Sequence, residues 1–185
     1  MRQIVVQPLA QKYQHDGIVR SCLVSRVDDE EVVDSRELWF EFPESVVPPE
    51  AIDCDSYLIA LLMDAMTENR ELVIEGAVSK SLLSNLTEYQ LAWEKWLPET
   101  YSAVEIKPQK IRQISETVPG AVCAFSGGVD ATFSVWMHEN RRLSHRSQAI
   151  NVCAIVHGFD IPLNEEKAFA DTFRIINSTL SAFEL

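Results

Sequence analysis

No stretch of the 185-residue sequence is both long and apolar. The longest apolar runs, Tyr57 to Met63 and Val152 to Val156, fall far short of the roughly 20 residues that a bilayer-spanning helix needs, so no membrane role is expected. The first residues, Met1-Arg2-Gln3-Ile4-Val5-Val6, contain no extended apolar segment followed by small residues. They do not read as a secretory signal, and a cytoplasmic location is the expectation. Cysteine is sparse: Cys22, Cys54, Cys123 and Cys153 are scattered and form no C-x-x-C pair, which excludes a zinc knuckle or a dithiol redox motif of that spacing. Reduced thiols packed as small apolar side chains are expected. Cys54 lies between Asp53 and Asp55, whose charges disfavour a thiolate. The sequence also lacks internal repeats, low-complexity tracts, G-x-x-x-x-G-K-[ST] and G-x-G-x-x-G, which argues against Walker-type and Rossmann-type phosphate sites. His15 and His138 have no partner at a catalytic or metal-ligand spacing.

What is present is acid, and it is unevenly placed. The net charge is −12. Residues 1–108 hold 9 basic and 20 acidic side chains, against 7 and 8 in residues 109–185. An acidic surface repels phosphate backbones, so direct nucleic-acid binding by the first part is disfavoured. The asymmetry points to two units: an acidic α+β accessory domain over 1–108, and a second domain over 109–185.

In the first part, β-branched residues mark strands at Ile4 to Gln7 and Ile18 to Val27. The acidic stretch Asp28 to Asp34 reads as an exposed turn, and Leu38 to Phe42 as a third strand closed by Pro43. Leu58, Leu61, Leu62 and Ala65 recur at helical spacing, with Asp55 or Ser56 placed to cap. A short strand at Leu72 to Ile74 follows. Ser79 then precedes a helix whose Leu82, Leu86, Tyr89, Trp93 and Trp96 or Leu97 form one apolar stripe ended by Pro98. A last strand is expected at Ala103 to Ile106.

The second part has a different rhythm. Ala121-Val122-Cys123-Ala124-Phe125 is a continuous apolar run, as expected of a strand buried on both faces, and it leads straight into Ser126-Gly127-Gly128. Asp130 to His138 offers a helix with Phe133, Trp136 and Met137 on one side. Ile150 to Val156 reads as a second buried strand. Asn164 can cap a further helix carrying Phe169, Phe173, Ile176 and Leu180. Strand, glycine loop, helix, strand, helix is the order of a doubly wound parallel sheet.

A strand that ends in Ser-Gly-Gly and turns at once into a helix presents unpaired N–H groups and the positive end of the helix dipole to one small volume. Gly127 and Gly128 let the backbone approach phosphate oxygens without a Cβ in the way, and Ser126 adds a hydroxyl. Asp130 would repel a polyphosphate unless a divalent cation bridges them, which points to Mg²⁺ as co-ligand, or unless it serves only to cap the helix.

Ser126-Gly127-Gly128-Val129-Asp130-Ala131-Thr132 resembles the SGGxDS signature of the PP-loop (N-type) ATP pyrophosphatases, the superfamily of asparagine synthetase and 7-cyano-7-deazaguanine synthase. The resemblance implies an adenine nucleotide α-hydrolase-like fold and ATP with its pyrophosphate in the loop. It further implies an AMP-forming (adenylating) ligase or synthetase acting on a small-molecule substrate. Ser126, Gly127, Gly128, Val129, Asp130 and Thr132 would then contact nucleotide, and Asp130 the metal, with a catalytic role. Main-chain contacts to adenine would come from about Ile155 to Gly158, with His157 and Gly158 among them. The last serine of the signature is Ala131 here, and Thr132 is turned about 100° away on a helix. Only about residues 119–185 are covered, two strands and two helices where the family's sheet is wider. The chain is therefore expected to be a fragment, or to have its sheet completed by a second copy or another chain.

Two further readings stay open. One is a non-catalytic nucleotide-binding or protein-interaction module, or an inactive fragment, motivated by Ala131. The other is that the glycine loop is only a tight strand-to-helix turn. Arg141, Arg142, His145 and Arg146 read as a solvated connector.

Overall fold

β-branched residues concentrated near the chain start give long strands, and helical spacing gives helices on one side of them. In the computed structural model, which describes residues 1–14, 17–113 and 120–183, the chain is mixed α/β with two compact units, Met1–Ser115 and Glu116–Leu185. The first unit runs β1 (Arg2–Pro8), β2 (Lys12–Gln14), β3 (Gly17–Asp28), β4 (Glu31–Pro43), α1 (Asp55–Glu68), β5 (Glu71–Ser79), α2 (Lys80–Trp96) and β6 (Ile106–Arg112). Its single sheet is mixed: β3 is antiparallel to β1, β2 and β4, whereas β1, β5 and β6 run parallel. Alternate residues of three strands, Ile4, Val6, Cys22, Val24, Leu72 and Ile74, point to one face. They bury there against Tyr57, Leu58, Leu62, Ala65 and Met66 of α1.

Three expectations shift for physical reasons. Asp29 and Glu30 both take positive φ, 47° and 73°, the geometry of a two-residue hairpin turn, so the acidic stretch is mostly strand and β4 starts at Glu31. The last strand lies later than Ala103 to Ile106, because Pro108 sits inside β6. As the outermost strand beside β5, β6 tolerates a residue without N–H. The first unit accordingly continues beyond residue 108. Neither Asp55 nor Ser56 caps α1, which starts after Cys54 with no side-chain cap. Asp55 instead accepts from the Ser79 N–H at 2.8 Å and from Arg112 at 2.7 Å.

Ser79 does cap α2, its Oγ accepting from Leu82 N–H. Leu82, Leu86 and Trp93 reach the core, while Tyr89 and Trp96 are exposed. Buried charge is held by hydrogen bonds or ion pairs. Arg20 is buried, donates to the carbonyls of Glu50 and Asp53 at 2.9 and 2.6 Å, and lies over the Tyr57 ring. Arg26 forks onto Glu68, and Arg70 bridges Glu68 and Asp28.

The second unit contains β7 (Ala121–Ala124), α3 (Val129–Glu139), a 3-10 turn (Ser144–Arg146), β8 (Ile150–Ala154), α4 (Glu166–Leu180) and a final 3-10 turn (Ser181–Phe183). β7 and β8 pair in parallel. Phe125, Val135, Ile150, Ile176 and Leu180 form its core. The expected burial of both strand faces does not occur: Val122 is 69% and Val152 51% exposed. The helix face is also different from the expected one. Val135 is the buried residue of α3, whereas Phe133 is 57% exposed. Trp136 stacks on Phe133 and carries the Arg142 guanidinium over its ring. α4 starts after Glu165, so Asn164 does not cap it. No helix among the described residues is long and apolar enough to cross a membrane.

Candidate functional site

The junction of β7 with α3 is built by conformation as much as by side chains. Phe125 is buried, and its N–H donates to the Ala154 carbonyl at 2.8 Å, which holds the end of β7 against β8. The chain then leaves the sheet through Gly127 at φ +80°, a region that L-residues with a side chain rarely occupy. A Cβ at Gly127 would also lie 3.0 Å from Cγ1 of Ile176. Torsion therefore favours glycine at this position, and the close approach of α4 leaves little room for a Cβ. Gly128 has an ordinary φ of −73° and caps α3 from an extended conformation; a Cβ there would only touch Ser126 Oγ at 3.4 Å.

No side chain caps α3. The first intrahelical bond at this end runs from Thr132 N–H to Gly128 carbonyl at 3.0 Å, so the N–H groups just before Thr132 have no partner within the helix. The Gly128 N–H makes only a long contact, 3.4 Å, with Ser126 Oγ. Ser126, Gly127, Gly128, Val129 and Asp130 are all exposed. The result is an open concavity of main-chain donors at the positive end of a helix, which suits an anion.

On one side the junction borders a cleft of about 450 Å³ whose lining includes Ser126, Ile155, Val156, Phe159, Asp160 and Thr172, within the size range of small-molecule sites. On the other side Gly127, Val129, Thr132, Phe133, Trp136 and Phe183 line a second, more apolar depression of about 570 Å³. No family model, curated protein or solved structure matches the chain.

The expected residues separate into those that face the junction and those engaged elsewhere. Ser126, Gly127, Gly128, Val129 and Asp130 lie together on it. Thr132 spends its single hydroxyl proton on Gly128 carbonyl at 2.9 Å, so it offers no free donor in this conformation. His157 stacks on Phe169, ring centres 4.3 Å apart, and its Nε2 lies 2.9 Å from the Pro162 carbonyl. Its ring is thus occupied in packing the segment between β8 and α4. Gly158, at φ +102°, donates to Ile161 carbonyl and lies against Leu163, which marks it as a turn residue. That turn brings Phe159, Asp160 and Ile161 back over the cleft. Asp160 and Thr172 had no spacing signal in the sequence; only the tight turn at Gly158 and the packing of α4 bring them to the cleft.

Asp130 fits a magnesium–phosphate partnership by chemistry. Its carboxylate makes no hydrogen bond or ion pair among the described residues, and no group of three or more His, Cys, Asp or Glu side chains there is placed to hold a metal. Mg²⁺ characteristically takes one or two carboxylates together with phosphate oxygens and water. A single free carboxylate beside an anion cradle meets that requirement only when the phosphates supply the other ligands. No lysine or arginine lines either depression, so charge compensation there would fall to main-chain dipoles and the cation. Ala131 packs against the second unit's core and contributes no donor.

Proposed function

We propose that the second unit binds the triphosphate of ATP at Ser126–Asp130, and that the chain belongs to an ATP-dependent, AMP-forming ligase or synthetase of the PP-loop ATP pyrophosphatase type. The observation that supports it most is the parallel strand, Ser-Gly-Gly turn and uncapped helix, with Gly127 in a left-handed conformation. In this reading ATP supplies the adenylyl group and Mg²⁺ neutralises its phosphates. The chain's own part is positional. The N–H groups of Gly128 and Val129 and the Ser126 hydroxyl orient the phosphates, Asp130 holds the cation, and Ile155, Val156 and Phe159 offer an apolar wall for the base. Preorganised donors of this kind stabilise the charge that develops on a departing pyrophosphate.

Ala131 favours a second reading, nucleotide binding without turnover. A signature serine at this position would give one more donor, and losing one such donor costs about 10²-fold or more in rate. The two readings are separated by calorimetry with ATP and Mg²⁺ together with ATP–pyrophosphate exchange across a panel of carboxylate and amide acceptors. Binding with exchange supports the ligase. Binding without exchange, together with exchange gained by Ala131→Ser, supports the second reading. Absence of heat on ATP addition, with or without Mg²⁺, overturns both.

A further inference from the structure

Cys123 and Cys153 are thirty residues apart in sequence, and the parallel pairing of β7 with β8 makes them direct ladder partners. Partners on neighbouring strands lie about 4.8 Å apart and point to the same face of the sheet. Both thiols are half-buried and reduced, and both pack beside the core of Phe125, Val135, Ile150, Ile176 and Leu180. A Cα separation of that size falls inside the roughly 4.4–6.8 Å over which disulfides close. From this juxtaposition we infer that Cys123 and Cys153 form a vicinal dithiol that peroxide converts reversibly to a cross-strand disulfide. The inference does not depend on nucleotide binding.

The chemistry balances with hydrogen peroxide as the two-electron oxidant. Cys123 sulfur attacks one peroxide oxygen, the O–O bond breaks, and a sulfenic acid and one water result once the thiol proton is counted. Cys153 sulfur then attacks the sulfenic sulfur; the S–S bond forms, the S–O bond breaks, and the Cys153 proton leaves with the oxygen as a second water. Burial, with Cys123 and Glu139 adding to it, pushes the Cys153 thiol up, so Cys153 is a slow first nucleophile and is assigned the resolving role. The side chains of parallel ladder partners run alongside each other, which holds their Cβ atoms at about the strand spacing, beyond the roughly 3.5–4.5 Å that disulfides use, so the bond closes with some strain. Strained bridges of this kind are the readily reduced ones.

The other two cysteines supply an internal control. Cys22 and Cys54 have no exposed surface, and burial pushes their thiols up to about 12 and about 11. They should stay reduced under the same treatment. A bridge between Cys123 and Cys153 would fasten the two strands just below Ser126 and Ile155, at the base of the loop and the cleft.

The test treats the whole chain with hydrogen peroxide, alkylates remaining thiols under unfolding conditions, and maps tryptic peptides without reduction. Cleavage after Arg141 and Arg146 separates the two cysteines. The expected result is a Cys123–Cys153 linked pair that dithiothreitol resolves, with Cys22 and Cys54 recovered alkylated. In Cys153→Ser, dimedone should trap a sulfenic acid at Cys123 at least severalfold above the native chain, because its resolving partner is gone. Recovery of Cys123 and Cys153 as two free thiols or two separate sulfinic acids would overturn the proposal, and so would a bridge from either one to Cys22 or Cys54.

Discussion

The two units solve the problem of burial differently. In the first, a six-stranded sheet packs one face on α1 and α2, and fifteen buried side chains among the described residues form a continuous core. Its buried arginines are tied to carboxylates or carbonyls. In the second, two strands and two helices bury five side chains among the described residues, while Val122, Val152, Phe133 and Phe159 remain open. The site candidates all lie in the sparsely packed unit. A glycine turn at positive φ and an open cleft both cost stability, and they sit in the unit with the smaller core. The heavily packed unit holds its buried arginines by internal hydrogen bonds and ion pairs. Sites drawn from the low-stability part of a molecule are a general pattern.

The sharpest way to break this comparison is to cut the core of each unit and read them separately by hydrogen exchange. Leu62→Ala removes a fully buried side chain of α1 and should destabilise the first unit by about 2–5 kcal/mol. Ile176→Ala should fall near the lower end of that range, because its surroundings can relax or admit water. Equal losses in the two units would contradict the contrast. Next in size is Gly127→Val, which forces a β-branched residue to φ +80° against Ile176. A strain of about 1–3 kcal/mol is expected, with loss of ATP binding and no change in exchange of first-unit peptides.

Smaller effects test how far the first unit depends on caps and ion pairs. Ser79→Ala removes the α2 cap and should cost about 1 kcal/mol, seen as a shift in the denaturation midpoint. For pH, the Arg26 hydrogen bond, and after it the charges of Arg26 and Arg70, holds the Glu68 carboxyl below its ordinary value of 4.5, against the opposing effect of burial. A carboxyl lowered in the folded state contributes stability that is complete above about pH 4.5 and is lost as pH falls through the folded value. Melting of the first unit should therefore drop in acid, and Glu68→Gln should flatten that drop while lowering stability near neutral pH. An unchanged acid slope would show that the pair contributes nothing measurable, as exposed pairs often do.

Much of this contrast was legible in the residues. Helical spacing through Leu58, Leu61, Leu62 and Ala65 marked α1, Ser79 marked the start of α2, and Ser126-Gly127-Gly128 marked the strand-to-helix turn. The rest depended on partners that periodicity does not reveal. Pro108 reads as a break unless its strand is known to be outermost. Val122 and Val152 read as buried because apolar character reports the preference for burial, not whether anything lies opposite. Phe133 and Trp136 are the larger apolar side chains, yet Val135 is the one that faces the small core. Thr132 and His157 carry site-like side chains whose polar atoms are taken up by Gly128 and Pro162 carbonyls. The pairing of Cys123 with Cys153 appears only once β7 and β8 are in register.

The main-chain donors at the end of β7 carry the proposed nucleotide site, and amide NMR reads them directly. Titrating the full chain with ATP and Mg²⁺ should shift the amide signals of Gly127, Gly128, Val129 and Asp130 first and furthest, with smaller changes at Ile155 and Val156 and none in β1, β3 or α1. Saturating nucleotide that leaves those four signals in place, or that moves only signals of the first unit, would contradict it.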